Sequence, residues 1–242
     1  MPAKKRIAVF QHLAVEHPGV FRDYLKEDDI QWQAFELDHG VALPDLENFD
    51  ALWVMGGPMD VWEETQHPWL VAEKHAIRHA ILELNKPFLG VCLGHQLFAA
   101  ALGGAVGRSK HAEVGIKQIA FTPEGECHPV LNKLPHALDC LQWHSAEVKT
   151  IPKGLTVLAE SPACAVQALA RESHQVSIQF HIEVTEHTVK EWGAVPAYAT
   201  ALEAALGSGA LATFDATTAQ HIDAFRANAK QLYDNWKSAA GF

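Results

Sequence analysis

A single stretch, Pro87-Phe88-Leu89-Gly90-Val91-Cys92-Leu93-Gly94-His95-Gln96-Leu97, constrains this chain more than any other. It opens on a short apolar run that starts after proline and has the length of a buried strand. It closes into Leu97-Phe98-Ala99-Ala100-Ala101-Leu102, a helical run that stops at Gly103-Gly104. Between them stands Gly90-Val91-Cys92-Leu93-Gly94, a cysteine at a strand-to-helix turn with glycines two residues away on either side. Such a turn lifts the side chain above the sheet, and the glycines let the backbone crowd without Cβ clashes. The helix N-terminus then aims free N–H groups at the site, which favours a thiolate and a nearby oxyanion. A buried structural cysteine is the commoner fate of this residue type. The glycine spacing tips the reading to a nucleophile, provided that a base stands elsewhere in the chain.

The surrounding segments alternate. Residues 6–10, 30–37 and 51–55 read as short apolar strands, 20–25 as a helix, and Leu70, Ile77, Ile81 and Leu84 as one helical face. Strands alternating with helices imply a parallel sheet covered on both faces, with function at the carboxyl ends of the strands. Gly56-Gly57-Pro58 and Cys92 both fall at such ends, and one site assembled from the two is expected. Residues 114–121, 138–143, 155–160, 164–170 and 175–180 are further strand candidates with few long helices between them, an antiparallel section that extends the sheet. Gly103 to Ser109 lacks the Gly-Lys-Ser/Thr ending of a phosphate loop and reads as a helix stop and turn. After Thr185 the chain turns helical: Val189 and Trp192 begin one helix, and Tyr198, Leu202 and Leu206 mark another. Gly207-Ser208-Gly209 breaks it, and Ile222, Phe225, Ala229, Leu232 and Trp236 line an amphipathic closing helix. With no repeat, low-complexity tract or linker, the expectation is one α/β domain over 1–242. Its mostly parallel central sheet is flanked by helices, and a helical extension begins at about residue 186.

Composition narrows the function. Of 242 residues, 48% are hydrophobic and 20% charged, enough to build a full core. A formal net charge of −10 argues against nucleic-acid binding, which needs a basic surface. Lys4, Lys5 and Arg6 are followed by too short an apolar run for a signal peptide, and no membrane span is seen. The four cysteines, Cys92, Cys127, Cys140 and Cys164, form no C-x-x-C pair, and the expectation is reduced thiols in the cytoplasm. His75/His79 and His181/His187 come nearest to metal spacing, but neither pair has the Glu of a zinc-protease helix. No metal or cofactor is expected.

A cysteine nucleophile needs a histidine within hydrogen-bond reach, and the histidine often needs a carboxylate to fix its tautomer. Gln179-Phe180-His181-Ile182-Glu183 ends an apolar strand containing Val176, Ile178 and Phe180. In extended chain, residues i and i+2 face the same way, which puts His181 and Glu183 side by side, with His181 towards Cys92 and Glu183 behind it. Alone, such a pair is an ordinary surface feature. Its weight comes from sitting at a strand end in the same chain as the cysteine turn.

Together, Gly90-Val91-Cys92-Leu93-Gly94-His95-Gln96 and Gln179-Phe180-His181-Ile182-Glu183 resemble the motifs of class I, triad-type glutamine amidotransferases. The similarity is to proteins like the amidotransferase domain of GMP synthase, and in chain order it covers about residues 7–195. The resemblance implies a flavodoxin-like fold. It further implies that Cys92 attacks the glutamine side-chain amide to give a γ-glutamyl thioester and ammonia, that His181 shuttles protons and that Glu183 orients it. By the same resemblance the N–H groups of Gly57 and Leu93 form the oxyanion hole, and Gln96 helps hold the amino-acid end of the substrate. Gln142, Trp143, His144 and Ser145 fall where the family supplies backbone contacts to substrate. The chain departs from the family's pattern in three places: Ile182 replaces proline, Ser145-Ala146 replaces Gly-Asp, and Met59 replaces the third residue of a Gly-Pro-Gly loop. All three surround the expected substrate pocket.

Nothing in the chain supplies a second site that would consume ammonia. Three readings follow. In the first, the protein hydrolyses glutamine to glutamate and ammonia, alone or docked to a separate ammonia-using synthetase. In the second, it is a stand-alone hydrolase or peptidase of another small γ-glutamyl compound, since the same thioester forms whatever amine leaves. In the third, it is a non-catalytic regulatory relative, against which the presence of Cys92, His181 and Glu183 argues.

Overall fold

Runs that are apolar at every position, such as Ile7-Ala8-Val9-Phe10 and Leu52-Trp53-Val54, are stable only where both faces are covered. The computed structural model, which describes residues 4–242, places these runs in the middle of a sheet; residues 1–3 of the expected domain lie outside the described residues. Strands and helices alternate through the first part of the chain: β1 (Arg6–Gln11), α1 (Phe21–Glu27), β2 (Gln31–Glu36), β3 (Ala51–Val54), α2 (Trp69–Leu82), β4 (Phe88–Val91) and α3 (Leu93–Ala101). The second part is strand-rich: β5 (Ala105–Phe121), a short α4 (Pro123–Glu126), β6 (Ala137–Thr150), β7 (Thr156–Glu160), β8 (Ala168–Glu172) and β9 (Gln175–Ile178). Three helices close the chain, α5 (Thr188–Gly193), α6 (Pro196–Leu206) and α7 (Ala210–Ala240).

The nine strands form one sheet in the order β2-β1-β3-β4-β9-β8-β7-β5-β6. Pairing is parallel from β2 through β9 and antiparallel from β9 outward. The fold is thus α/β, with a mostly parallel, flavodoxin-like sheet and an antiparallel section. Alternation within each strand sorts the core into two layers. Ile7, Val9 and Trp53 face α1 and the C-terminal half of α7, where Phe21, Leu232 and Trp236 pack. Ala8, Phe10, Leu52 and Val54 face α2 and α3, meeting Leu70, Ile77, Leu97 and Phe98. The Trp53 and Trp236 rings cross edge-on at 5.2 Å, and the Trp236 indole N–H donates to the Phe88 carbonyl at 3.0 Å. A third cluster joins Trp143 on β6 to Trp192, Tyr198 and Phe214 on the C-terminal helices.

Two boundaries correct the sequence reading. Gly103 does turn the chain, at φ +93°, but residues 105–109 are not a turn. They open β5 and pair with the end of β6 through Ala105↔Thr150, Val106↔Val148 and Arg108↔Ala146. Their small and charged side chains carry no strand signature because this edge of the sheet is largely exposed. Residues 164–167 are irregular rather than strand: the Cys164 N–H bonds the Ser161 hydroxyl at 3.0 Å, and pairing resumes only at Ala168.

Gly90 and Gly94 bring α3 against the sheet. A Cβ on Gly94 would stand 2.0 Å from the Val54 carbonyl oxygen, and one on Gly90 would stand 2.7 Å from the Gly94 carbonyl oxygen. Gly94→Ala is therefore expected to cost about 3 kcal/mol or more, a fall in Tm of roughly 6–12 °C for a chain of this size. Thermal unfolding followed by circular dichroism checks this; an unchanged Tm would mean that the turn tolerates a side chain.

Candidate active site

β1, β3, β4 and β9 run parallel, and their carboxyl ends collect at one edge of the sheet. His12 follows β1, Gly56 and Gly57 follow β3, Cys92 follows β4, and His181 and Glu183 follow β9. Cys92 lies between β4 and α3 at φ 53° and ψ −104°, a conformation that costs a non-glycine residue about 1–3 kcal/mol. The Cys92 N–H donates to the Ile178 carbonyl (2.8 Å) and the Gly94 N–H to the Met55 carbonyl (3.1 Å). Through those bonds β9 and β3 hold the turn. The next amide, the Leu93 N–H at the head of α3, makes no hydrogen bond among the described residues, and neither does the Gly57 N–H.

His181 is pinned through its backbone, exchanging hydrogen bonds of 2.8 and 3.0 Å with Leu141 on β6. Its Nδ1 lies 2.7 Å from Glu183 Oε1, while Glu183 Oε2 accepts the Ile182 N–H at 3.0 Å. Nδ1 therefore carries a proton towards Glu183, and the ring interacts with the Cys92 sulfur. The edge of the Trp192 ring closes over the imidazole at 4.7 Å. Burial alone would strip the proton from His181. The Glu183 carboxylate and the Cys92 sulfur outweigh burial and hold the imidazole well above the ordinary histidine value. A cation beside a sulfur favours its nucleophilic, anionic form.

A cavity of about 220 Å³ opens beside Cys92, lined by Gly57, Met59, Leu93, Gln96, Trp143, Ser145 and Tyr198 among others. A larger, open groove of about 690 Å³ lies at the amino ends of β1 and β2, between Arg6, Arg22, Lys26 and Gln31. It holds no nucleophile and sits at the wrong end of the strands for chemistry of this kind. Gln96 spends both amide hydrogens inside the protein, on the Ala146 carbonyl (3.2 Å) and Gln179 Oε1 (3.1 Å), which leaves its oxygen free to accept. The His144 ring turns to the Ala146 carbonyl (3.0 Å) and to Glu113 (3.2 Å), and the residue lines the cavity. Gln142 lies behind the cavity, bonded to Gln167 at 2.9 Å. Among the described residues no group of three or more His, Cys, Asp and Glu side chains is placed to hold a metal ion. No helix there is long and apolar enough to cross a membrane.

Several residues at this edge carry no motif. Gln179 donates to the Cys92 sulfur at 3.6 Å; its place two residues before His181, on the same face, was the available signal. Tyr198, from α6, lines the cavity and donates its hydroxyl to the buried Glu16 carboxylate. Burial pushes the Glu16 carboxyl up, against the opposing charge of His181. Glu16 and His12 belong to a loop that reads as plain polar sequence. Of the other cysteines, Cys140 and Cys164 are buried and Cys127 is exposed. Burial raises both buried thiols, that of Cys164 to about 12.

Residues 21–191 match the family described as Glutamine amidotransferase class-I. The chain is 43% identical over 108 residues to a glutamine-hydrolyzing GMP synthase subunit of Thermococcus kodakarensis, an alignment of 43% of this chain and 56% of that protein. With the GMP synthase subunit of the same name from Saccharolobus solfataricus it shares 38% identity over 145 residues, 60% of this chain and 72% of that one. The chain thus spans little more than half the length of the first of these relatives. A glutamine amidotransferase crystal structure from Thermotoga maritima superposes with a TM-score of 0.86 at 26% identity, covering 99% of this chain and all of that one.

The His181–Glu183 geometry makes a prediction in a Cys127→Ser background, where the exposed thiol is silent. Glu183→Gln withdraws the charge that opposes burial, so His181 gives up its proton at lower pH. Alkylation of Cys92 by iodoacetamide near neutral pH is then expected to slow by about tenfold or more. An unchanged rate-versus-pH profile would show that the pair does not activate the sulfur.

Proposed function

The chain belongs to the class I glutamine amidotransferase family, and on that premise we propose that it hydrolyses the side-chain amide of glutamine through a thioester on Cys92, releasing glutamate and ammonia. The observation that carries this reading is the cysteine at its left-handed turn, set between the hydrogen-bonded His181–Glu183 pair and two N–H groups without partners among the described residues. The Cys92 sulfur attacks the amide carbon, and the carbonyl oxygen takes the charge. The Gly57 and Leu93 N–H groups receive that oxyanion; one such donor is typically worth about 3–4 kcal/mol of barrier. His181 gives its proton to the leaving nitrogen, and ammonia departs as the carbon–nitrogen bond breaks. His181 then takes a proton from water, which attacks the thioester and frees glutamate and the sulfur. Glu183 keeps the ring oriented throughout. Gln96 Oε1 accepts from the substrate ammonium, and the backbone of Trp143, His144 and Ser145 contacts its amino-acid end. One domain carries all of this, with the helices from about residue 186 as an extension.

A second reading rests on α6. Ala197, Tyr198 and Ala201 help line the cavity although they lie beyond the matched residues 21–191. A pocket walled by the chain's own extension suits a hydrolase of a different small γ-glutamyl compound, acting without a partner. The first reading keeps a separate ammonia-using synthetase as the consumer of the product, in line with relatives named as part of a synthase.

Ammonia and glutamate release, measured with glutamine and with a panel of γ-glutamyl amides and peptides, separates these readings. Turnover of glutamine is expected, reduced by about four orders of magnitude or more in Cys92→Ala. Turnover of a larger γ-glutamyl amide but not of glutamine would favour the second reading. Full activity in Cys92→Ala would overturn both.

A further inference from the structure

His12 and Glu73 play no part in the mechanism above, yet both are completely buried. His12 Nε2 lies 2.9 Å from Glu73 Oε1 on α2, and His12 Nδ1 lies 2.7 Å from the Gly56 carbonyl oxygen. The ring stacks on Trp69 at 5.4 Å. A carbonyl oxygen can only accept, so Nδ1 must carry a proton for this contact to exist. Glu73 opposite Nε2 accepts from the second ring nitrogen, so the ring carries a proton on each nitrogen, and the Glu73 charge offsets the burial that would remove one.

The carbonyl so held belongs to the Gly56–Gly57 peptide. In a trans peptide the C=O and the following N–H point in opposite directions. Fixing the Gly56 oxygen on the His12 side therefore fixes the Gly57 N–H on the other side, where Gly57 lines the Cys92 cavity. Neither glycine has room for a side chain. A Cβ on Gly56 would lie 2.3 Å from Glu16 Oε2, and one on Gly57 would lie 2.8 Å from Leu93 Cδ2 and 2.9 Å from His12 Cβ. A Gly-Gly peptide is also the one most free to rotate, and among the described residues nothing bonds the Gly57 N–H.

We propose that His12, backed by Glu73, is a positioning residue: its Nδ1–H locks the Gly56–Gly57 peptide in the orientation that presents the Gly57 N–H to an oxyanion at Cys92. This rests on the oxyanion role given to Gly57 above, but not on the identity of the substrate.

The test compares two reactions of Cys92. Acylation by p-nitrophenyl acetate forms the sulfur–acyl bond, expels p-nitrophenolate and passes through an oxyanion; alkylation by iodoacetamide does not. Asparagine places an amide N–H where His12 Nδ1 stands, whereas glutamine places its amide near Nε2. In a Cys127→Ser background, His12→Gln and His12→Phe are expected to slow acylation about 10–100-fold with alkylation within about threefold of the parent, and His12→Asn to recover acylation to within about tenfold. Equal acylation by the parent and His12→Phe, or equal losses in the Asn and Gln variants, would overturn the lock. If the variants do not fold, the parent decides. A through-hydrogen-bond coupling from His12 Nδ1–H to the Gly56 carbonyl carbon is expected in its NMR spectrum, and an unprotonated Nδ1 would overturn the proposal. Absence of glutamine turnover alongside selective loss of acylation would refute the substrate reading and leave the lock standing.

Discussion

The carboxyl edge of this sheet depends on how closely the first turn of α3 lies against β3. Val54 offers its carbonyl oxygen where a side chain on Gly94 would be, and Met55 binds the Gly94 N–H at 3.1 Å. That approach forces Cys92 to φ 53°. The strain is local and small beside the core that holds it, in which Phe88 and Phe98 stack at 4.8 Å. Two consequences come from the one contact. The sulfur is lifted to the edge of the sheet, and the Leu93 amide is left at the head of a helix with no acceptor among the described residues. A raised thiol and an open helix-head amide thus arise from the same few bonds.

Around this point the chain buries an unusual set of ionisable groups: His12, Glu16, Glu73, His181 and Glu183 are each at most 3% exposed. None stands alone. Each histidine faces a carboxylate, and Glu16 takes the Tyr198 hydroxyl. Removing one partner of such a pair strands the other in a medium that cannot solvate it, at a cost of about 3–5 kcal/mol. Burial and pairing act in opposite senses on His181, and pairing prevails. On Glu16 burial prevails, despite the charge of His181. A carboxyl raised in this way and an imidazole held charged are the groups that a sheet edge with apolar layers on both sides produces when the acids and bases are drawn from different strand ends.

Much of this was legible in the sequence because it is local. The strands β1, β3 and β4 are continuous apolar runs, and Gly90 and Gly94 mark the turn by spacing alone. His181 and Glu183 share a face through the period of two. What was not legible depends on pairing at a distance. Residues 105–109 become strand only because the end of β6 lies beside them, and residues 164–167 lose strand pairing to a side-chain bond with Ser161. His12 and Glu73 are sixty-one positions apart and meet because α2 crosses the end of β1. Tyr198 reaches the cavity only through the packing of α6 on Trp143 and Trp192. No pattern within a window of sequence reports such contacts.

The chemistry proposed for this site passes an acyl group through Cys92. Mixing the protein with its turned-over γ-glutamyl amide, quenching in acid within the first turnover and mapping the adduct by peptide mass spectrometry tests it directly. One γ-glutamyl group is expected on the Cys92 peptide, labile to hydroxylamine as a thioester should be. Product formed in the same samples with Cys92 unmodified and the adduct on another residue would contradict it.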